Sequence, residues 1–503
     1  MTNFLFVVFK LEILKEIAIL KRDRHRIFHE NSYYFRYLFK KVKILLRLFS
    51  LNEMRESMEK KQLKREITTF GALSTVMGTV IGAGVFFKAA SVVGHAQSAS
   101  LAIFAWVLGG ALTICAGLTS AELATAIPET GGAVKYIEYT YGKLAGFLLG
   151  WAQSIIYYPA NISALSIIFS TQLINLFHLS ANLLIPIAIL AGTSITVINL
   201  LGTKIASLVQ STTLVVKLIP IALISLVGLF TPGQVAVSLF PIETTANTGF
   251  LVAFSGALVA TMFAYDGWLG VGNVAGEMKR PERDLPKAII FGLLLITLIY
   301  ALINFVFLKT LPIEQIAGNL NAASDASVAI FGPIGGKIVT IGILISVYGA
   351  LNGYTMTGIR IPYALALDNL MPFSRQFQKL SKRFVVPYVA GIFQLAVAII
   401  MMFFGTFDLL TDMLVFVMWL FNLLIFLAVF ILRKREPELK RPYKVPGYPI
   451  IPIIASLGGI FILVTTSITQ PILALIGIGI TLLGIPVYLV NKQKTKPKTK
   501  PKT

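Results

Sequence analysis

The chain has 503 residues, of which 56% are hydrophobic and 13% are charged, and its formal net charge is +21. Soluble globular domains carry roughly one charged residue in four. This composition excludes an ordinary soluble protein and indicates a polytopic membrane protein.

The first 57 residues differ from the rest of the chain. Their apolar start, "MTNFLFVVFK", is too short and too interrupted for a membrane span, and no small-residue cleavage site follows it. Two interpretations stay open. The segment is a basic amphipathic helix on the cytoplasmic leaflet, or it is an over-extended reading frame whose true start is Met54 or Met58. We expect residues 1–57 to be an extension of a twelve-helix domain over residues 58–491.

Twelve apolar runs follow Thr68, each about 20 residues long, which is the length that crosses about 30 Å of hydrocarbon. Barrel strands need only about 10 alternating residues, so these runs predict α-helices and an all-α integral membrane protein. The predicted spans begin near residues 69, 100, 143, 182, 205, 248, 285, 330, 385, 407, 449 and 470. Residues 492–503, rich in Lys, Pro and Thr, predict a disordered basic tail.

The basic residues are concentrated on one side of this predicted arrangement. They crowd into the N-terminal segment, "EMKRPERDLPK", "SRQFQKLSKR", "RKREPELKRPYK" and the C-terminal tail, whereas the opposite loops carry few, such as Lys88, Lys309 and Lys337. This asymmetry predicts that both termini lie in the cytoplasm, with the protein in the cell membrane. It explains the net charge without a nucleic-acid partner.

The first span contains the stretch "STVMGTVIGAGVFFKAA", with glycines at Gly78, Gly82 and Gly84. Each glycine costs about 1 kcal/mol against alanine inside a helix. Their clustering predicts that the helix is broken near its centre. The alternative is that the glycines only allow close helix packing.

The sixth span is interrupted in the same way, in "FAYDGWLGVG", by Gly267, Gly270 and Gly272, with Asp266 beside them. Five spans separate the two breaks, which predicts two inverted repeats of five spans, over about 68–230 and 248–432, with two additional C-terminal helices over about 449–490. Paired breaks of this kind are typical of the binding site of a secondary transporter.

Broken helices leave backbone N–H and C=O groups unpaired at the membrane midplane, where each costs several kcal/mol. An α-amino acid zwitterion satisfies both kinds of group. Its carboxylate suits the N–H groups at a helix N-terminus, and its ammonium suits the freed carbonyls. The pattern therefore favours an amino acid as the substrate.

Lys217 lies near the centre of the fifth span and shares a helical face with Gln210 and Thr213. A lysine at this depth costs of order 3 kcal/mol, so we expect it to face the protein interior. Three roles are open: donation to carbonyls freed in the first span, in place of a sodium ion; exchange of a proton during transport; or a permanent structural pairing.

Other polar residues inside the spans have two interpretations each. Asp266 either hydrogen-bonds the unwound segment or faces a cationic group of the substrate. The remaining candidates either line the pocket or bond between helices; they are Gln153, Tyr157 and Asn161 in the third span, and Trp419 in the tenth. Glu122, near the cytoplasmic end of the second span, is expected to cap or pair with a neighbouring loop.

No residue pattern indicates catalysis. The four histidines are scattered, no cluster has metal-ligand spacing, and no phosphate-binding loop is present. Cys115 is the only cysteine and is interpreted as a packing residue. We expect no enzyme activity, cofactor or metal.

Four motifs carry a resemblance to a known family: "GTVIGAGVF", "PETGGAVKYIEYTYG", "FAYDGW…GEMKRPERDLPKAI" and "RKREPELKRPYKVPGYP". In this order and spacing, the chain resembles the amino acid–polyamine–organocation (APC) superfamily, and most of all its L-type amino acid transporter branch. The resemblance covers about Lys64 to Val490. It implies the LeuT-type fold of ten core helices in a 5+5 inverted repeat.

The resemblance also implies site residues. The backbone of the first break would hold the amino and carboxylate groups of the substrate, and the sixth span would complete the site. Lys217 matches a lysine of sodium-independent members, and Phe263 matches an extracellular-side gate. The implied substrate-binding residues are Ile81, Gly82, Ala83, Gly84, Phe263, Ala264 and Asp266.

Two departures from the family pattern are visible. The usual Gly-Ser-Gly reads here as Gly82-Ala83-Gly84, so a hydroxyl near the carboxylate is missing. Animal L-type members bind a single-span partner through a cysteine between spans three and four, and "LINLFHLSANLL" has none. We therefore expect no disulfide-linked partner subunit.

Taken together, these features predict a sodium-independent exchanger of neutral L-amino acids that works by alternating access. The alternatives are a proton-coupled amino acid symporter, or a polyamine or cationic amino acid permease with Asp266 as the counter-charge. Rivals of another class are a channel and a sensor that binds amino acids without transporting them.

Overall fold

The computed structural model describes residues 68–127, 132–269 and 278–495, and these residues form helices and connecting turns with no β-strand among them. The helices are α1 (Thr69–Val80), α2 (Gly84–Ala96), α3 (Ala99–Ala126), α4 (Ala133–Tyr141), α5 (Lys143–Ala152), α6 (Tyr158–Phe177), α7 (Leu184–Leu200), α8 (Thr203–Phe230), α9 (Phe250–Ala264), α10 (Pro281–Thr310), α11 (Ile313–Ile316), α12 (Ala322–Gly358), α13 (Arg360–Leu367), α14 (Ser374–Phe377), α15 (Tyr388–Phe404), α16 (Phe407–Arg435), α17 (Ile450–Thr469), α18 (Pro471–Leu482) and α19 (Gly484–Thr495).

Within the described residues, nine helical segments are long and apolar enough to cross a membrane. They are Ala99–Ala126, Lys143–Phe177, Ala181–Leu200, Thr203–Phe230, Glu282–Thr310, Ala322–Leu367, Phe407–Arg435, Ile450–Thr469 and Pro471–Asn491. The prediction of an all-helical, multi-pass membrane protein is confirmed at this level. The predicted spans near 69, 248 and 385 contain shorter helices, so the count of twelve and the inverted repeat stay predictions.

Some predicted features lie outside the described residues. These are the N-terminal extension over residues 1–57, most of the basic tail, and the glycines Gly270 and Gly272 of the sixth span.

Small residues allow the helices around the two breaks to pack closely. α2 packs against α9, and α1 and α3 both pack against α10. On α3, a Cβ at Gly109 would lie 2.4 Å from the Thr261 hydroxyl, and one at Gly110 would lie 2.1 Å from the Thr297 hydroxyl. The glycine pair of α3 therefore fixes how near α9 and α10 approach, as small residues do in membrane helix packing.

Two helical segments depart from regular α geometry. A single π-helical turn, Gln153–Tyr157, joins α5 to α6. In α12 the backbone bends at Gly332, where φ is 72°, directly before Pro333. π-Turns of this kind are frequent at functional sites, because they rotate the side chains that follow relative to a regular helix.

Candidate functional site

The first helix break lies between α1 and α2. Helix α1 ends at Val80 and α2 begins at Gly84, and residues 81–83 belong to neither helix. Ile81 and Ala83 are buried, and Ala83, the N-cap residue of α2, supplies no side-chain capping bond. Because the first N–H groups of a helix lack intrahelical partners, the start of α2 presents N–H donors that suit an anion.

The Lys217 side chain reaches the carbonyl side of the same break. It is 4% exposed, and its ammonium donates to the Gly78 carbonyl at 2.8 Å and to the Ile81 carbonyl at 2.5 Å. This geometry corresponds to one of the three roles considered for Lys217, donation to carbonyls freed in the first span. The charge is buried with hydrogen-bond partners, as a buried ammonium requires.

The second break follows directly on α9. This helix ends at Ala264, and the chain turns through residues 265–267, where Gly267 has a φ of 101°. A Cβ on Gly84 would lie 2.5 Å from the Cα of Ala264. The two breaks are therefore in direct contact, and only a glycine fits at position 84.

Gly82 occupies a more open position than Gly84. A Cβ added there would have its nearest side-chain neighbour at 3.9 Å, in the Cβ of Ala350 on α12. This is ordinary van der Waals separation. The first break therefore has one crowded side, facing Ala264, and one side with room, facing α12.

Tyr300 of α10 links the two breaks, and sequence reasoning missed it. Its buried hydroxyl lies 3.0 Å from the Val80 carbonyl and 3.1 Å from the Ala264 carbonyl. The ring packs edge-on against Trp106 of α3. A hydroxyl has one hydrogen to donate, so the last carbonyls of α1 and α9 share it. A tyrosine inside an otherwise apolar span was the available signal.

Asp266 follows the second break and is held by tyrosines from two other helices. Tyr157, the last residue of the π-turn, donates its hydroxyl to the Asp266 carboxylate, and Tyr354 of α12 donates to the same oxygen at 3.3 Å. Sequence reasoning did not identify Tyr354. The carboxylate thus bonds side chains from the third and eighth predicted spans rather than only its own unwound segment.

Phe263 lies on the last turn of α9, immediately before the second break. Its side chain is 6% exposed, and its ring packs edge-on against Phe407, with centroids 5.7 Å apart. Phe407 is the first residue of α16. The aromatic pair thus joins the end of α9 to the beginning of α16.

The other proposed lining residues have different surroundings. Gln153 is half-buried at the start of the π-turn. The buried Asn161 side chain of α6 donates to the carbonyl of Tyr157 in the π-turn at 3.0 Å. Trp419 packs against Phe426 and against α17.

The arrangement brings opposite kinds of polar group together at two touching breaks. The start of α2 supplies N–H donors, while the ends of α1 and α9 supply carbonyl acceptors. Hydrophobic rings and small residues surround them. Such a set is matched to a small molecule that carries an anionic and a cationic group on neighbouring atoms.

Comparison with known proteins identifies the family. The family model described as amino acid permease matches residues 67–490. The chain belongs to the amino acid permease family. Because the members of this family are transporters, family membership assigns the protein to the transporters and not to the enzymes.

Three relatives show the breadth of the similarity to this permease. It is 42% identical to the serine/threonine exchanger SteT of Bacillus subtilis (strain 168), over 87% of the chain and 99% of the relative. It is 28% identical to the Homo sapiens Asc-type amino acid transporter 1, over 88% and 85%. It is 29% identical to the Homo sapiens cystine/glutamate transporter, over 86% of each.

Proposed function

We propose that this permease is a sodium-independent exchanger of neutral L-amino acids that works by alternating access. The observation that carries the proposal is the contact between the two helix breaks, in which Gly84 at the start of α2 packs against the backbone of Ala264 at the end of α9. The similarity to a serine/threonine exchanger over nearly its full length supports the exchange mode and small neutral substrates.

The substrate zwitterion would bind through the backbone. Its carboxylate would accept from the N–H groups around Gly82, Ala83 and Gly84, and its ammonium would donate to carbonyls of Ile81 and Phe263. The side chain would extend into the space between Gly82 and Ala350, where a methyl group meets nothing closer than 3.9 Å. Backbone recognition of this kind tolerates an alanine at position 83.

Lys217 supports independence from sodium. Its ammonium lies where a metal cation would otherwise neutralise the carbonyls at the end of α1. Since the charge is part of the protein, the first break keeps its geometry without a bound cation. Asp266 would help to hold the site together, because two tyrosine hydroxyls already donate to one oxygen of its carboxylate.

The proposed architecture is a LeuT-type 5+5 repeat of twelve spans in the cell membrane, with both termini in the cytoplasm. Repeat one covers about 68–230, repeat two about 248–432, and the peripheral helices about 449–490. The unit containing the first and sixth spans would move against the third, fourth, eighth and ninth. This motion would open one site to each side in turn.

Counterflow in proteoliposomes tests this function. We expect labelled serine, threonine or another neutral amino acid to enter faster when the vesicles contain unlabelled substrate, without a requirement for sodium. Uptake that ignores internal substrate but follows an inward pH gradient would instead establish proton symport. Competition by arginine or putrescine that Asp266→Asn removes would establish the cationic permease.

A further inference from the structure

Lys88 is a buried charge that the proposed substrate site does not use. It lies on α2, one helical turn after the first break, and its side chain is 0% exposed. An ammonium in such a position is stable only when other groups supply charge and hydrogen bonds. Its partners therefore show which elements it ties together.

Both charged partners of Lys88 lie at the beginning of α16. The ammonium donates to Asp408 at 2.8 Å and to Asp412 at 3.0 Å. The two carboxylates are four residues apart, so they share one helical face. Carboxylates near a helix N-terminus are also favoured by the helix dipole. The contact joins the second half of the first span to the tenth span.

The turn between the last two long helices supports the same contact. Gln470 lies between α17 and α18, and its side-chain amide donates to Asp412 at 3.1 Å. Asp412 thus uses one carboxylate oxygen for Lys88 and the other for Gln470. Fixing both oxygens orients the carboxylate toward the lysine.

The Lys88 ammonium also lies close to the aromatic pair Phe263 and Phe407 at the second break. The Lys88 ammonium is 5.9 Å from the centroid of Phe263 and 5.4 Å from that of Phe407, within the range of a cation–π contact. A motion that separates α2 and α9 from α16 would therefore break the ion pairs and the ring contact together.

We propose that Lys88, Asp408, Asp412 and Gln470 form an outer lock, which closes the site toward the face opposite the basic loops. The turn at Gln470 is part of this lock, so the peripheral helix pair takes part in gating. The inference rests on the proposed function, because a lock on one side presupposes a site that opens to each side in turn. Lys88 and Gln470 act as positioning residues and do not contact substrate.

Thiol accessibility tests the lock independently of transport. In a chain with Cys115→Ala, a reporter cysteine at Ala350 faces the open side of the first break. Right-side-out and inside-out vesicles are treated with a membrane-impermeant thiol reagent. For Lys88→Gln and for Gln470→Ala, we expect labelling from the outside to be about fivefold faster or more, and labelling from the inside to be slower.

Matched controls remove similar groups outside the lock. Lys309→Gln removes a lysine that donates to the Leu229 carbonyl, and Gln315→Ala removes an exposed glutamine on α11. Both are expected to label at the parent rate. Should Lys88→Gln fail to fold, Gln470→Ala alone decides the question, because its side chain is only partly buried.

The outcomes separate the two proposals. Unchanged labelling overturns the lock, and counterflow in the chain that keeps Ala350 leaves the exchanger intact. Faster labelling from both sides overturns the lock as well, because it indicates general loosening. Opposite changes on the two sides support the lock, and if the chain that keeps Ala350 shows no counterflow, the exchanger proposal alone fails.

Discussion

Gly84 is the residue at which the two broken helices meet. Its missing side chain lets the start of α2 approach the backbone of Ala264 at the end of α9. Tyr300 and Lys217, from two other helices, donate to carbonyls at the ends of α1 and α9. At the scale of single residues, the site consists mainly of backbone groups, and the side chains position them.

Gly84→Ala should strongly reduce exchange. The new Cβ would lie 2.5 Å from backbone of Ala264, which cannot rotate away, and overpacking of this kind costs about 1–3 kcal/mol. We expect the counterflow rate to fall about tenfold or more. Gly94→Ala, on the same helix and outside the proposed site, is the matched control, since its Cβ has no neighbour nearer than 3.6 Å. Equal losses for both variants would contradict the assignment of the crowded side.

Tyr300→Phe should weaken substrate binding without unfolding the protein. The change removes the one hydroxyl shared by the Val80 and Ala264 carbonyls, and a hydrogen bond contributes about 1 kcal/mol. We expect the KM for counterflow to rise about fivefold. Tyr348→Phe, which removes a hydroxyl paired with Ser194, is the control. A KM equal to that of the control would show that Tyr300 does not hold the breaks.

At the scale of helices, the segment that joins α16 to α17 is fastened to α3. Glu122 of α3 is 1% exposed and accepts two hydrogen bonds from Arg433, at 2.8 and 2.6 Å, and one from the Val445 amide at 2.8 Å. Arg441 lies 3.5 Å from the same carboxylate. The sequence predicts that Glu122 pairs with a loop, and the structure identifies the loop.

Glu122→Gln should destabilise the protein strongly. It leaves the two arginines at this carboxylate without their counter-charge, and breaking a buried ion pair costs about 3–5 kcal/mol. We expect a clear fall in the Tm of the detergent-solubilised permease. Glu138→Gln breaks the half-buried pair with Lys135 and should cost about 0.5 kcal/mol. Similar Tm values for the two variants would argue against the fastening role.

At the scale of the whole molecule, the arrangement of charge predicts how the chain is inserted. The loop at Lys440 belongs to the basic side, and the short helix α11 at Glu314 belongs to the opposite side. Both side chains are exposed. The outer lock and the loop fastened to Glu122 lie at opposite ends of α16, so the two predicted faces correspond to the two ends of one long helix.

Single cysteines at these two positions test the orientation. In a Cys115→Ala chain, Glu314→Cys should react with a membrane-impermeant thiol reagent on intact cells, and Lys440→Cys should react only after the membrane is permeabilised. The asymmetry follows from the positive-inside rule. Reaction of Lys440→Cys on intact cells would place the basic loops outside and reverse the proposed sidedness.

The sequence by itself determined the class of protein and the position of the first break. A long apolar segment in a membrane forms a helix, because a backbone in lipid must satisfy its own hydrogen bonds. Clustered glycines indicate where such a helix is broken. These local rules need no knowledge of neighbours. They predicted a break near Gly78, Gly82 and Gly84 and an interior position for Lys217, with donation to carbonyls of the first span as one of its three possible roles.

Only the tertiary structure decided which side chains meet. Tyr300, Tyr354 and the cluster around Lys88 join residues that are far apart in the chain, and helical periodicity does not fix how one helix is rotated against another. The π-turn before α6 adds a rotation that a regular period cannot predict. Tyr157, the last residue of this turn, donates to Asp266, whereas Trp419 packs against Phe426 and α17.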